Sequence, residues 1–194
     1  MTKCVSFLSV KIITVLDVIL TMTKRFYGEI ASTQMKKKQS KKDILRQWGL
    51  PEKFQWSNLR YKNPYQKGIY WYYFSIFIRE RDIKNWGVCI SCRKPITMEN
   101  CDAGHFCPAA NCGRDLLFSP ENVHAECKGC NGFDSGHLLR YRRKLKARYG
   151  IDYVEDLEDR YDLYRDSKTP VKDFTAKEYE LLIKSLPSYK EVLK

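Results

Sequence analysis

The chain has 194 residues, enough for one domain with appended segments, and its apolar and aromatic residues are sufficient for a hydrophobic core. This composition excludes wholesale disorder. The formal net charge of +12 is unevenly distributed, because residues 151–194 carry 8 Lys and Arg against 11 Asp and Glu, whereas the first 150 residues carry 27 against 12. A basic body with a mildly acidic tail favours a polyanionic partner such as nucleic acid over a protein that is merely cationic.

Residues 1–62 are predicted to form a basic N-terminal extension that is partly disordered. Its apolar stretch, residues 4–20, is interrupted by Lys11 and Asp17 and is short for a membrane span. Without a convincing cleavage site, it favours a packed helix or strand, or a poorly ordered extension, over a signal peptide. The lysine-rich residues 36–42 fit either a solvated linker or an arm that contacts phosphates. We expect no association with a membrane.

The predicted core, residues 63–150, opens with a long helix. Asn63 and Pro64 suit an N-cap and a first helical position, and Gly87 suits the end of the helix. Apolar residues recur between them at steps of three and four, which indicates one buried face. That face is predicted to comprise Ile69, Tyr72, Tyr73, Ile76, Phe77 and Ile83.

Two Cys-x-x-C pairs follow, and they are the strongest signal in the sequence. Two thiolates on one tight knuckle can bind the same ion, and a second knuckle completes a tetrahedral zinc site. The length of the chain and the paired spacing argue against a disulfide scaffold and imply a reducing compartment. Cys107 and Cys112 lack this spacing and are interpreted as packing or free thiols, with a rival or second metal site as the alternative, and Cys101 is unassigned. The predicted zinc ligands are Cys89, Cys92, Cys127 and Cys130.

The residues between and after the knuckles alternate between predicted strands and helices. We expect a strand near 100–106, a loop at 107–118 and a returning strand at 121–126, then a short helix from Lys128. A basic helix over 137–149 should end at Gly150. The C-terminal segment, residues 151–194, is predicted to be helical, with a capping box from Thr175 to Glu178 before its last helix.

A zinc ion held by four thiolates is coordinatively closed, so any catalysis needs other side chains. His105 is the candidate general base, because a neutral imidazole takes a proton from water near pH 7. Asp102 and Asn131 offer the hard oxygen ligands that Mg²⁺ or Mn²⁺ prefers. Side chains alternate along a strand, so we expect a bend or bulge at Gly104 to bring Asp102 and His105 to one site. Asn122 could accept a hydrogen bond from the imidazole and set its tautomer.

The order of these motifs resembles the HNH, or ββα-metal, nuclease superfamily, and more narrowly the NinG (Rap) recombination proteins of lambda-like phages. The likeness covers residues 73–158. It implies an α+β fold, a zinc-stabilised ββα-metal core that is treble-clef-like and has flanking α-helices. The motifs that carry it are FIRERD at 77–82, CISC, DAGH, NVHAEC, CKGCN, SGH and the pair Tyr141-Arg142.

The resemblance implies a structure-directed DNA endonuclease that acts on branched recombination intermediates, such as four-way junctions and D-loops, in the cytoplasm of a bacterial or phage-infected cell. His105 falls on the general base and Asn122 on the asparagine that positions it. Asn131 falls on the asparagine that binds the catalytic metal. Asp102 is the expected second ligand, although HNH enzymes carry that acid directly before the histidine, where this chain has Gly104.

Further polar residues near the motifs are candidates for contacts with metal or DNA. His137 is a candidate ligand or phosphate contact, ranked below Asn131, and His124 is a candidate phosphate contact with packing as its alternative. Contacts to backbone phosphates carry no information about base sequence, which suits a protein that recognises the shape of DNA. The candidate phosphate contacts on the basic helix are Arg140, Arg142, Arg143, Lys144 and Arg148.

Two other functions stay open at this point. One is a zinc-dependent nucleic-acid-binding protein without catalysis, and the other is an HNH endonuclease that cuts ordinary duplex DNA. Only the polar cluster around His105 argues for a nuclease over a binding protein without catalysis. Only the family resemblance argues for branched DNA over ordinary duplex as the substrate. Symmetric incision of a junction would favour a homodimer.

Overall fold

The computed structural model describes residues 40–54, 65–110, 112–133, 137–167 and 173–192. The chain divides into two compact units, residues 1–40 and 41–194, and Ser40 is the single described residue of the first. The predictions for residues 1–39 and 55–62, and for the N-cap pair at 63–64, therefore lie outside the described residues. The second unit contains every element named below.

The described elements of this unit are helices and one small sheet. The mixed α and β organisation predicted from the sequence is confirmed, and the loop expected at 107–118 contains a short helix. In chain order the elements are α1 (Lys41–Gln47), α2 (Tyr65–Asn85), β1 (Cys101–His105), α3 (Arg114–Leu117), β2 (Val123–Cys127), α4 (Lys128–Phe133), α5 (His137–Tyr149), α6 (Ile151–Asp166), α7 (Ala176–Ser185) and α8 (Pro187–Val192).

Helix α2 is the central element, and its buried face differs from the predicted one. The helix packs against both strands on one side and against α7 and α8 on another. Because most of its residues are apolar, the sequence pattern alone does not define which side faces the interior. Ile69 and Tyr73 are buried as predicted, but Tyr72, Ile76, Phe77 and Ile83 are only half-buried. The buried set also includes Tyr70, Phe74, Ile78 and Asp82.

The C-terminal helices pack on α2 rather than standing apart from it. The Ser188 hydroxyl donates to the backbone carbonyl of Tyr73 at 2.8 Å, and the ring of Tyr179 lies 5.9 Å from that of Tyr70. Thr175 and Glu178 form the predicted capping box at the start of α7, which is confirmed. The C-terminal segment therefore belongs to the same core as α2.

Part of the predicted N-terminal extension also belongs to this core. Trp48, directly after α1, is 1% exposed, and its backbone carbonyl accepts a hydrogen bond from the Tyr73 hydroxyl. Trp48 and Leu50 are therefore packed against the core, whereas α1 itself has no buried residue. Within the described part of the chain, no helix combines the length and apolarity needed to cross a bilayer.

Strands β1 and β2 form an antiparallel hairpin with regular, one-to-one pairing from Cys101 opposite Cys127 to His105 opposite Val123. The prediction of a bulge at Gly104 is wrong, because the one-to-one pairing of the strands continues through that residue. Regular alternation places Asp102 and Gly104 on one face of the sheet and His105 on the other. The Tyr141 hydroxyl donates to the Gly104 carbonyl at 3.0 Å, which attaches α5 to β1.

A buried carboxylate attaches α2 to β2. Asp82 is 2% exposed, and its Oδ2 accepts the backbone N–H of Ala125 at 2.7 Å. Burial alone would raise the pKa of Asp82, but hydrogen bonds with His124 and Arg81 outweigh it and lower that pKa to about 2. The charged carboxylate therefore fixes the central part of β2, close to the second knuckle.

Candidate functional site

The four knuckle cysteines converge as predicted. The Sγ atoms of Cys89, Cys92, Cys127 and Cys130 all lie within 4.8 Å of one another, and those of Cys92 and Cys127 are 3.7 Å apart. Thiolates on a tetrahedral zinc ion, with Zn–S bonds of about 2.3 Å, lie about 3.8 Å apart. The arrangement fits one zinc ion in a closed, four-sulfur site.

Backbone hydrogen bonds shape the first knuckle. Arg93 adopts a left-handed conformation, with φ of 65°, and its N–H donates to the Cys89 carbonyl at 3.0 Å. The N–H of Cys127 donates to the Cys89 sulfur at 3.3 Å. An N–H directed at sulfur favours the thiolate, the form that binds metal. The tight turn thus presents its sulfurs to the second knuckle.

The three other described cysteines lie outside this four-sulfur group. Cys101 is buried beside the group and packs with Ile96 and Ala125. Cys107 is also buried, its Sγ donates to the Leu157 carbonyl at 3.4 Å, and burial raises its pKa to about 12. Cys112 is buried as well. Packing is the role that these contacts support.

His105 is held between a backbone carbonyl and an aromatic ring. Its Nε2 lies 2.9 Å from the Leu117 carbonyl oxygen, and its ring stacks on Trp71 with centroids 5.0 Å apart and planes at 12°. A carbonyl oxygen only accepts hydrogen bonds, so Nε2 carries a hydrogen, and in the neutral ring Nδ1 then carries the lone pair. This tautomer makes Nδ1 the basic nitrogen, as a general base requires. The sequence reasoning missed both Trp71 and Leu117.

Asn122 acts on the backbone and not directly on the imidazole. The side chain is fully buried; its Nδ2 donates to the carbonyls of Cys107 and Leu116, at 3.2 and 3.0 Å, and its Oδ1 accepts the Cys107 N–H at 2.7 Å. The expected contact with His105 is corrected accordingly, because the Leu117 carbonyl sets the tautomer. Asn122 fixes the segments on either side of that contact, so it positions His105 indirectly.

Asp102 and Asn131, the two predicted ligands of a catalytic metal, lie in contact through the asparagine amide nitrogen. Asn131 directly follows the last zinc-site cysteine on α4, and its Nδ2 lies 3.5 Å from Asp102 Oδ2 at the protein surface. Their oxygens are of the type that hard divalent cations bind. His137, at the start of α5, has its Nε2 4.0 Å from Oε2 of Glu126. The three predicted candidates thus surround a fourth side chain.

That fourth side chain, Glu126, was missed in the sequence. It is fully buried on β2 directly opposite Asp102, and the Ser91 hydroxyl donates to its Oε1. Burial raises the pKa of Glu126. An acid between apolar neighbours in a strand, paired across from a second acid, was the available signal.

His124 is buried, so its predicted contact with phosphate is wrong and the packing alternative holds. It is 1% exposed; its Nε2 lies 3.1 Å from the Glu121 carbonyl, and its Nδ1 lies 3.0 Å from an Arg81 nitrogen and 3.2 Å from Asp82 Oδ2. Burial lowers the pKa of His124 and favours the neutral ring. The residue joins α2 to β2 and does not reach solvent.

The basic residues of α5 fall into two groups. Arg142 forms two hydrogen bonds with Glu158 of α6, at 2.6 and 2.8 Å, and its contact with DNA stays a prediction. The Arg148 guanidinium lies 4.2 Å from the centre of the Trp86 ring. Arg143 is exposed, and Arg140 and Lys144 are half-buried.

Comparison with known proteins identifies the family. Residues 18–188 match the family model described as Bacteriophage Lambda NinG protein. The proteins named "Protein ninG" from Escherichia phage lambda and Salmonella phage P22 are 36% and 37% identical to this chain over 110 residues, covering 57% of this chain and 52% of each relative. The chain thus spans about half the length of the curated relatives it matches, and no solved structure is significantly similar to it. The chain belongs to the NinG family of bacteriophage proteins.

Proposed function

We propose that this protein is a structure-directed DNA endonuclease of the HNH type that cuts branched recombination intermediates in the cytoplasm of the infected cell. The observation that carries the proposal is the setting of His105. Its Nε2 is bonded to a carbonyl, which leaves Nδ1 as the base, and its neighbour in the chain, Gly104, borders the oxygens of Glu126 and Asn131.

The fold around His105 supports an HNH assignment. A cysteine knuckle, a strand ending in histidine, a returning strand, a second knuckle and a short helix follow one another in that order. Structural zinc fixes both knuckles, and the second knuckle fixes Asn131 at the next residue. The sulfur site is closed, so its contribution to catalysis is to hold the other groups in place.

The chemistry of these side chains suits the following roles. Asp102 and Asn131 would hold one Mg²⁺ or Mn²⁺ ion, which, when bound, stabilises charge on the scissile phosphate and on the departing 3′ oxygen. His105 is the last residue of β1 and lies on the opposite face from Asp102, so the two would act together only on a phosphate that lies across the end of the strand. There Nδ1 of His105 would accept the proton of a water molecule in line with the departing oxygen. Trp71 and the Leu117 carbonyl keep the imidazole in the required orientation. The products would be 5′-phosphate and 3′-hydroxyl ends.

The charge distribution supports a DNA partner. Helix α5 starts at His137, beside Glu126, and Arg140, Lys144 and Arg148 follow at steps of three and four residues, which places them along one side of the helix. A row of cations beginning at the candidate site suits a phosphate backbone that passes the scissile bond. Binding should weaken steeply as salt rises.

The test compares cleavage of a four-way junction, a D-loop and a linear duplex in Mg²⁺ or Mn²⁺. We expect nicking of the branched substrates, and we expect His105→Ala to lower its rate by about 10²- to 10⁴-fold with binding retained. Zinc content and circular dichroism confirm that the variant is folded. Persistent cleavage by His105→Ala would refute the base assignment.

The same assay distinguishes the alternatives. Tight binding without cleavage of any substrate would identify a zinc-dependent nucleic-acid-binding protein. Equal cleavage of linear and branched DNA would identify an HNH enzyme that cuts ordinary duplex. Paired, symmetric nicks across a junction would indicate that two copies of the chain act together.

A further inference from the structure

We propose that Glu126 is a third oxygen ligand of the divalent cation held by Asp102 and Asn131. The inference rests on the proposed function for the purpose of that cation, but the binding of the cation is measured separately from cleavage. Three features of its surroundings support the assignment.

The first feature is a buried oxygen without a hydrogen bond. Glu126 is fully buried, and only one of its two carboxylate oxygens, Oε1, receives a hydrogen bond, from Ser91. Among the described residues, none donates a hydrogen bond to Oε2. An unsatisfied buried polar atom carries a free-energy cost of about 1–3 kcal/mol, more if it is charged. A cation beside Oε2 would remove that cost.

The second feature is the direction in which this oxygen points. A Cβ atom built on Gly104 would lie 2.7 Å from Glu126 Oε2 and 3.0 Å from Asn131 Oδ1. Both oxygens therefore converge on the space beside the Gly104 backbone. A side chain at position 104 would enter the space that the two oxygens share and would have to displace them.

The third feature is that three separate elements supply the oxygens. Asp102 lies on β1, Glu126 lies directly opposite it on β2, and Asn131 lies on α4. Residues directly opposite on antiparallel strands have Cβ atoms about 4.5–5.5 Å apart, within reach of one ion. The Asn131 Nδ2 donates to Asp102 Oδ2 at 3.5 Å, and the Asn131 Oδ1 is the atom that borders the space beside Gly104.

The chemistry of these oxygens selects the class of ion. Two carboxylates and one amide oxygen form a hard donor set, which suits Mg²⁺ or Mn²⁺. Three protein ligands leave positions open for water and for a phosphate oxygen. His137, 4.0 Å from Glu126 Oε2, borders the set on the side of α5.

The test measures Mn²⁺ binding to the full chain loaded with zinc, from the electron paramagnetic resonance signal of free Mn²⁺. Glu126→Gln keeps the shape of the side chain and an acceptor for Ser91 but removes the charge. Loss of an outer-shell partner commonly costs about 10- to 100-fold in metal affinity, and we expect a loss at least as large here. The matched control is Glu99→Gln, which neutralises an exposed acid just before β1 and should leave affinity unchanged. Unchanged Mn²⁺ affinity in Glu126→Gln would overturn the proposal.

Two further measurements guard against a variant that fails to fold. In the unaltered chain, bound Mn²⁺ should broaden the amide NMR signals of Gly104, Glu126 and Asn131 first, and absence of that broadening would also overturn the proposal. In the double variant Gly104→Asp/Glu126→Ala, the new carboxylate takes the place of the old one. Recovery of Mn²⁺ binding there would support the assignment.

The outcomes separate this inference from the proposed function. If Mn²⁺ binding depends on Glu126 but no DNA is cut, the cation site stands and the endonuclease proposal falls. If DNA is cut but Glu126→Gln alters neither Mn²⁺ affinity nor rate, the endonuclease proposal stands and Glu126 is a packing residue.

Discussion

The four-sulfur group and the oxygen group are neighbours on one hairpin, yet they differ in every chemical respect. Cys127 and Glu126 are consecutive on β2, and strand alternation directs their side chains to opposite faces. The sulfur group has four soft donors, two of them buried and two half-buried, whereas Asp102 and Asn131 reach the surface. The comparison teaches that one short strand can present soft sulfur donors on one face and hard oxygen donors on the other.

The dependence between the two regions is expected to run in one direction. The sulfur group fixes both knuckles, and through Cys130 it fixes Asn131 at the next residue. Its loss should therefore disturb the oxygen group as well. Loss of the oxygen-bound cation should leave the sulfur group intact, because no sulfur ligand depends on it.

The largest expected effect comes from breaking the sulfur group. Cys127→Ser should lower zinc content and unfold the core, because zinc in such sites contributes on the order of 10 kcal/mol to folding. Zinc analysis and thermal melting by circular dichroism measure both effects. The matched control is Cys101→Ser, a buried cysteine beside the group but outside it, which should retain zinc. Equal melting temperatures for Cys127→Ser and the unaltered chain would contradict a structural metal.

A smaller effect on stability, with a full effect on activity, is expected when the chain is dialysed into buffer without Mg²⁺ or Mn²⁺. The proposed oxygen-bound cation should dissociate, because three oxygen ligands hold a hard divalent ion more weakly than four thiolates hold zinc. Junction cleavage should then fall to background, while zinc content and the melting temperature change little. Addition of Mn²⁺ should restore cleavage. Loss of zinc or unfolding in that buffer would show that the two regions are not separable in this way.

A partial loss of activity is expected when the stacking partner of His105 is changed. The His105 ring lies on the same face of the hairpin as Cys127 and on the opposite face from Glu126. Trp71→Leu removes the stacked ring and should lower the cleavage rate by about 10- to 100-fold through misplacement of the imidazole. Trp71→Phe, which keeps an aromatic face, should restore most of the rate. Zinc content and Mn²⁺ affinity should stay unchanged in both variants. A parallel loss of Mn²⁺ affinity would mean that Trp71 supports the oxygen group instead.

The smallest effects are expected on α5, and they would separate arginines proposed to contact DNA from those that stabilise the fold. Arg143→Ala should reduce the slope of log affinity against log salt by about 1, because it removes one phosphate contact. Arg142→Ala should leave the slope unchanged and lower the free energy of unfolding by less than about 1 kcal/mol, since its pair with Glu158 is more than a third exposed. Equal changes in slope would contradict the assignment of Arg142 to α6.

Local signals in the sequence predicted local structure well. The paired cysteine spacing located the four-sulfur group, and the Thr175–Glu178 pattern located the start of α7. Gly87 and Gly150, which follow α2 and α5, both adopt positive φ. Each of these features depends on residues close together in the chain, which is why composition and spacing were sufficient.

Features that depend on pairing across the fold could not be predicted in the same way. The burial of His124 follows from Asp82, 42 residues earlier, and the position of Glu126 follows from the register with Asp102. The partner of His105 is a backbone carbonyl, which has no signature in the side-chain pattern. The buried face of α2 was misassigned because packing on two sides, and not the apolar period, selected it.

The hydrogen bond from the Tyr141 hydroxyl to the Gly104 carbonyl has a mechanical consequence. That carbonyl belongs to the peptide unit that connects Gly104 to His105. Tyr141 lies on α5, the helix whose arginines and lysines are proposed to contact DNA. If this helix tilts when it binds a bent or branched substrate, the hydrogen bond would move the Gly104 carbonyl and, with it, the backbone that holds the His105 imidazole. Substrate shape would then adjust the aim of the base directly, without a moving loop or a second domain.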